Sequence, residues 1–382
     1  MLDNKSALFV GGLLKRYYTG ISNIAPKNIA NREFGFGDFE KKIAFRHCAF
    51  RDEQELKEYL VRNAPAFVSY SSAEYQRPAG RPMESKGLLG SELVFDLDSS
   101  DIKLACKKEH GDGWVCGKCL EAVKEQTIRL IEDFLVPDFG FSEQEIAINF
   151  SGNRGYHVHV SSNLVYGLGA DAKKGIANYI ACKGVELSAF FPALGVRGVR
   201  LDGPKPTDAG WGGKLANAVI VALNKGTDTL MALGIDKHYA GLLYRNRAAI
   251  ILGITTGNWD KVRIPNKALF WSNVLGSIAI AQSSSIDRNV TGDVYHLIRL
   301  PGTIHGDTGL IAKRIESVSA LDAFDPMKDA IAFKDSTVRV ATQKVPGFTM
   351  GGAQLGPYGN EKPELQVCAA TYLILKRLAT LL

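Results

Sequence analysis

The sequence predicts an α+β fold: a mixed helix-and-strand core, interrupted by a mostly helical insertion and carrying a cysteine-histidine knuckle. Three observations lead there. Short apolar runs with period-two alternation are interleaved with helical periodicity on both sides of the chain's middle. From about Asp202 to Gln282 the strand alternation fades and helical spacing takes over. Between one strand and the helix after it, "CKKEHGDGWVCGKC" crowds three cysteines and a histidine into a few residues. The expected organisation is therefore a first core part over 1–201 with the knuckle at 106–119, an insertion over 202–282, and a second core part over 283–382. A chain of 382 residues, 46% hydrophobic and 23% charged, has the size and balance of a soluble globular protein with two or three structural units.

Taken in order, "SALFVGGLLKRYYTG" reads as a helix rather than a leader, and no apolar stretch reaches the length of a membrane span. "DEQELKEYLVRNAP" places Leu56, Tyr59 and Leu60 at helical spacing and stops near Pro65. "AFVSYSS" and "LVFDLD" alternate as strands, and Leu120 to Phe134 keeps a 3.6 period until Pro137. "EIAINF" and "YHVHVS" are strands flanking "SGNRG". Within the insertion only "AVIVAL" has a strand character, while "HYAGLLYRNRAAIIL" and "NVLGSIAIA" look helical. "YHLIRL" and "GLIAKRIESV" restore strands, Pro363 suits a first helical turn, and "ELQVCAATYLILKRLATLL" predicts an amphipathic closing helix. The six cysteines do not form an evenly spaced disulfide framework, so a reducing, cytoplasmic compartment is expected, with no membrane partner.

In "ELVFDLDSSD", alternation puts Asp96 and Asp98 on one strand face. Two neighbouring carboxylates repel, and a divalent cation relieves the repulsion; oxygen ligands suit Mg2+ or Mn2+. The competing account is a strand end whose acids cap a turn. "SGNRGYHVHV" follows a strand directly, with glycines for a tight turn, Arg154 as a planar fork for phosphate oxygens, and His157 and His159 on one face. A glycine connection on a wet face fits that stretch as well. "SIDRNVTGDVYHLIRLPGTIHGDTGL" gathers Asp287, Asp293, His296, Arg299 and His305, either as part of a metal and phosphate site or as an exposed hairpin. In the knuckle, Cys106, His110, Cys116 and Cys119 follow C-x3-H-x5-C-x2-C. Four protein ligands leave no open position, so this is a structural Zn2+ site, with chance clustering as the alternative. The net charge of +6 is compatible with a polyanionic partner and proves none.

These segments, in this order, resemble the small catalytic subunit of archaeal and eukaryotic DNA primases, most closely the archaeal form. The likeness runs from "NREFGFGDFEKKIAFRHCAF" through "ELVFDLDSSD", the knuckle and "SGNRGYHVHV" to "IDRNVTGDVYHLIRLPGTIHGDTGL", and leaves out the insertion. It implies a Prim/RRM-like catalytic core and a two-metal, DNA-directed nucleotidyltransferase that makes short RNA primers, with DNA synthesis also open, on single-stranded DNA during replication. On this resemblance Asp96, Asp98 and Asp287 are the catalytic, Mg2+- or Mn2+-binding acids. Arg32, Ser151, Arg154, His157, Arg299 and His305 bind the nucleoside triphosphate, and Cys106, His110, Cys116 and Cys119 hold zinc. The implied partner is a large subunit with an iron-sulfur cluster, for which no four-cysteine set remains here. Asn153 stands where some relatives carry a second arginine, which removes one phosphate cation. Rival readings are a stand-alone primase-polymerase, an end-joining repair polymerase, and a non-catalytic zinc module that binds nucleic acid; the three acids argue against the last, since uncovered carboxylates repel a polyanion.

Overall fold

The computed structural model describes residues 2–111, 113–191, 200–334 and 336–382. Helices and strands are mixed along the chain in the α+β manner expected. The described residues fall into two compact units: 1–132, 141–177 and 285–382 form one, and 133–140 with 178–284 the other.

The larger unit is built on two antiparallel sheets. The strands are β1 (Arg32–Gly37), β2 (Phe45–Cys48), β3 (Phe67–Tyr75), β4 (Leu88–Ser91), β5 (Leu93–Asp98), β6 (Ile146–Phe150), β7 (Gly155–Val160), β8 (Leu297–Arg299) and β9 (Lys313–Ile315). One sheet runs β2-β1-β3-β4, with β8 also pairing β3; the other runs β5-β7-β6-β9. They share a seam where the chain leaves β4 for β5, because Glu92 N–H donates to Ser72 O of β3 at 3.0 Å. In the second sheet Phe95 lies opposite Val158, and Ile148 opposite both Val158 and Ile315. This face is the apolar one. The helix Gly117–Arg129 packs on it through Leu120 and Val123, and Phe324 meets the rings of Phe150 and Tyr156.

The helix predicted from Leu120 begins at Gly117 and runs into a π-turn over Leu130–Leu135. The end of the chain differs more. The expected amphipathic closing helix led by Pro363 is instead a strand, a helix and a strand: β10 (Thr337–Thr342) pairs β13 (Glu364–Gln366) on one edge and β14 (Ala379–Leu381) on the other, and β11 (Phe348–Met350) with β12 (Ala353–Leu355) forms a separate hairpin. The helix between them, Val367–Leu375, is buried at every one of its residues. A helix enclosed on all sides has no polar face to show, so an apolar run there signalled burial rather than amphipathicity.

The smaller unit is helical. "AVIVAL" lies inside the helix Gly210–Lys225, not a strand: Leu215, Ala216, Val219, Ala222 and Leu223 are its buried stripe, at helical spacing. The helices Lys237–Arg245, Arg247–Thr255 and Lys267–Gln282 follow. Trp259 and Trp271 cross edge to face at 5.0 Å, and Trp259 Nε1 donates to Pro204 O, which satisfies the one polar atom of a buried indole. Asp138 receives Lys214 Nζ at 2.6 Å and the Tyr179 hydroxyl at 2.9 Å.

Candidate active site and metal knot

The polar face of the second sheet is set by register. Asp96 lies opposite His157, Asp98 opposite Gly155 and Val94 opposite His159, while Asn149 flanks His157 on its other side. Directly paired residues share a face, so two acids, two histidines and an asparagine look the same way. Gly155 is required here, since a Cβ would stand 2.1 Å from Leu97 O.

Asp287 joins them from far along the chain. Its N–H donates to Asp96 O at 2.9 Å, and its carboxylate caps the short helix Arg288–Gly292 through Asn289 N. Asp98 accepts Ser100 N–H at 2.7 Å and Arg154 Nε at 2.8 Å. Capping and a cation pair thus coexist in "DLDSSD". Burial lifts the Asp96 carboxyl to about 7, helped by the charges of Asp98, Asp287 and Asp101. Burial, Asp98 and Asp287 also raise Asp101, an acid the sequence reading passed over. Among the described residues only the Cys/His quartet has all its ligand atoms within 4.8 Å of one another; with Asp98 drawn to Arg154 and Asp287 to its own helix, the acid trio is gathered more loosely.

Opposite the acids lie cations and neutral histidines. The turn after β6 is pinned by the Ser151 hydroxyl, which accepts from Asn153 N and Gly155 N. Gly152 has φ +83°, and a Cβ on it would meet His305 Cβ at 2.8 Å. Thr308 donates its hydroxyl to Gly152 O, tying this turn to the "GTIHGDTG" segment. Arg154, a third exposed, gives Nε to Asp98. Arg299 lies over the Phe67 ring at 4.9 Å and donates to Val68 O at 3.1 Å. Its Nε has no partner, no carboxylate lies within ion-pair distance among the described residues, and burial pulls its pKa down to about 10. His157 Nε2 is 3.7 Å from Asp96 Oδ1, and its Nδ1 is buried without a partner, as is Asn149 Oδ1. Burial holds His157 and His305 well below the usual imidazole range, with Arg299 adding to the effect at both. A buried arginine lacking an acid and polar atoms lacking partners, beside an acid cluster, are what an anion bound together with a cation would satisfy.

Arg32 is different. It gives four hydrogen bonds within the protein, to Lys27 O, Ser71 O, Ser72 O and Glu92, and lies 3.0 Å from the Glu74 carboxylate. Its side chain is fully buried. Arg32 instead fixes Glu92, which also receives His159 Nδ1 at 2.9 Å; burial would raise Glu92, but His159 and Arg32 outweigh it and bring it down to about 2. Sequence reading missed Glu92 although it opens the quoted acidic segment. It also missed Lys376, whose Nζ lies 3.3 Å from Asn153 Oδ1. Nothing in the sequence near position 376 marks it.

At the knuckle, Cys106, Cys116 and His110 Nε2 stand 3.6–3.7 Å from Cys119 Sγ. His110 Nδ1 bonds Gly111 O at 2.7 Å, which turns Nε2 towards the thiols. Burial pushes the Cys119 thiol up, while the Cys119 N–H and neighbouring thiols draw Cys116 down despite its burial. This cluster can hold a metal ion. Trp114 anchors the loop, meeting Phe348 at 5.5 Å and Tyr372 at 5.8 Å.

Fold and site define a class: an α+β protein with an acid-bearing antiparallel sheet beside two arginines, one of them, Arg299, without a carboxylate partner among the described residues, and with a cysteine-histidine knot in the same unit. The sequence profile of the DNA primase small subunit family matches residues 95–317. Curated relatives named as DNA primase small subunits include that of Methanothrix thermoacetophila, 32% identical over 99% of both chains, and that of Methanococcoides burtonii, 32% identical over 98% of both. The Picrophilus torridus protein is 33% identical over 84% of this chain and 83% of its own. This chain belongs to the DNA primase small subunit family, in its archaeal form.

Proposed function

We propose that the chain is the catalytic subunit of a DNA primase, a nucleotidyltransferase that starts short RNA strands on single-stranded DNA. The observation that carries this reading is the Asp287 N–H bonded to Asp96 O, which brings the third acid to a pair whose other member, Asp98, holds Arg154. Asp96, Asp98 and Asp287 are the residues that would hold Mg2+ or Mn2+, which when bound lower the pKa of a 3′-hydroxyl and neutralise phosphate charge. The raised carboxyl of Asp96 supports that assignment, because a cation nearby removes the cost of ionising it.

The chain's own part is positioning and charge. Arg154 and Arg299 grip the β- and γ-phosphates and take up charge as pyrophosphate departs. His157 and His305, kept neutral by burial, give hydrogen bonds without adding to the crowded positive charge. The turn set by Ser151 aims Arg154, and Arg32 acts at a distance by holding Glu92 and the strand that carries the acids. Cys106, His110, Cys116 and Cys119 would hold Zn2+ and close the loop between β5 and the following helix. The relatives' designation as small subunits supports a heterodimer with a large subunit; the resemblance adds an iron-sulfur cluster in that partner, a single-stranded template and nucleoside triphosphates. No described helix is long and apolar enough to cross a membrane.

The test is unprimed synthesis on single-stranded DNA with ribonucleotides, with and without Mg2+ or Mn2+, for the chain alone and with its large subunit. Metal-dependent initiation is expected, and Asp96→Asn abolishes it. An Asp96→Asn chain that extends supplied primers at the wild-type rate removes the assignment.

A further inference from the structure

Lys376 reaches the phosphate turn from the end of the buried helix Val367–Leu375, well outside the matched span 95–317. Its stem lies near the Tyr372 ring, 5.7 Å from the ammonium, and Nζ stops 3.3 Å from Asn153 Oδ1, in the same turn as Arg154. Among the described residues no carboxylate comes within ion-pair distance of it. The charged groups facing it are Asp307 and Asp98, which attract, and Arg154 and Lys42, which repel. Both acids are engaged elsewhere: Asp98 with Arg154 and Ser100 N, Asp307 with Lys42 at 3.8 Å. An ammonium carries three donors, and among the described residues one neutral amide oxygen is its hydrogen-bond partner. Burial draws its pKa down to about 8, as expected of a cation short of counter-charge. Arg299, Lys42 and Lys376 all bear on His305, so Lys376 belongs to the ring of positive charge that surrounds that histidine.

We propose that Lys376 is a phosphate ligand supplied by the C-terminal helix, closing on the same terminal phosphates as Arg154, with the Asn153 carboxamide as its positioning residue. This rests on the reading of the site as a triphosphate pocket. It makes a lysine remote in sequence do what a second cation at position 153 would do, and the exchange is physical: an amide that holds an ammonium by its oxygen replaces a charge carried on the turn itself. Because the helix is enclosed, the ammonium is presented from a rigid base, so the contact favours ligands with a charged tail over those without one.

The experiment is equilibrium binding of ATP, AMP and inorganic tripolyphosphate to the full chain by titration calorimetry, with thermal melts of each variant. Lys376→Met keeps the length of the stem and removes the charge. It should weaken ATP and tripolyphosphate about tenfold or more, the loss of one charge-assisted hydrogen bond, leave AMP unchanged, and leave the melting temperature unchanged or raised, since a buried charge short of partners is removed. Lys376→Arg should retain ATP affinity, and Asn153→Arg in the Lys376→Met background should restore much of it. Equal weakening of ATP and AMP by Lys376→Met, or wild-type ATP affinity in it while Arg154→Ala has lost ATP, overturns the inference alone. Wild-type ATP affinity in Arg154→Ala overturns the triphosphate pocket beneath it.

Discussion

Asp96 carries the sharpest consequence at the scale of single residues. Its carboxyl is raised from 3.8 to about 7 in the folded chain, so between those values the folded state holds a proton that the unfolded state has lost. Folding stability without metal therefore falls as pH rises from about 4 to 7 and is flat above. Replacing Asp96 by Asn should raise metal-free stability by an amount that grows across that window, up to about 4 kcal/mol at neutral pH and above. Urea titrations at pH 4, 6 and 8 check it; a gain that shrinks with pH contradicts the sign. Arg32 predicts the opposite kind of phenotype. Arg32→Met strands Glu74 and Glu92 without their cation and should cost about 3–5 kcal/mol in a denaturation experiment. If stability is unchanged and only ATP affinity drops, Arg32 is a phosphate ligand after all. The acid pair was legible because alternation alone puts Asp96 and Asp98 on one face. Arg32 was visible only as a family arginine, since its acidic partners Glu74 and Glu92 lie far along the chain and no local pattern announces a buried guanidinium held by them.

Strands and loops bring two further expectations. Gly155→Ala would drive a methyl into Leu97 O, and the close β5-β7 approach should open at a cost of about 1–3 kcal/mol, seen as a lower melting temperature together with weaker ATP binding. Cys116→Ser should lose zinc and stability together; full zinc content in that variant by metal analysis would remove the knuckle assignment. The strands β5 and β7 were readable because polar and apolar side chains alternate along them, and that period of two survives in sequence although β7 is buried at every residue. The elements read wrongly were those whose sequence shows no contrast between buried and exposed positions. "AVIVAL" has too few residues to separate the periods, and the helix Val367–Leu375 is apolar on every side, so its ends could not be found from a stripe. Spacing supplied the knuckle quartet, whereas the tie from Trp114 to Tyr372 joins segments that are distant along the chain.

For the molecule as a whole, the excess of positive charge predicts salt-sensitive template binding. The affinity for a single-stranded oligonucleotide should fall with log salt at a slope of roughly 0.7 per phosphate neutralised. Cations committed to the triphosphate should not set that slope, so Arg154→Ala should leave it unchanged in fluorescence anisotropy while ATP binding fails. A slope that drops by one phosphate's worth would instead place Arg154 on the template. That Asp287 returns to Asp96 after an intervening helical stretch was available only from the resemblance; no periodicity reports which distant segment closes on a sheet.

The enclosed rod at the C-terminal end touches both the cysteine knot, through Tyr372 against Trp114, and the phosphate turn, through Lys376 beside Asn153. Pulling the ion out of the knot should thus be felt far from it, as a slackened hold on nucleotide in a protein whose acids are all intact. Chelation that empties the knot would mimic a defect at the reaction centre, and re-supplying zinc rather than magnesium would be the cure.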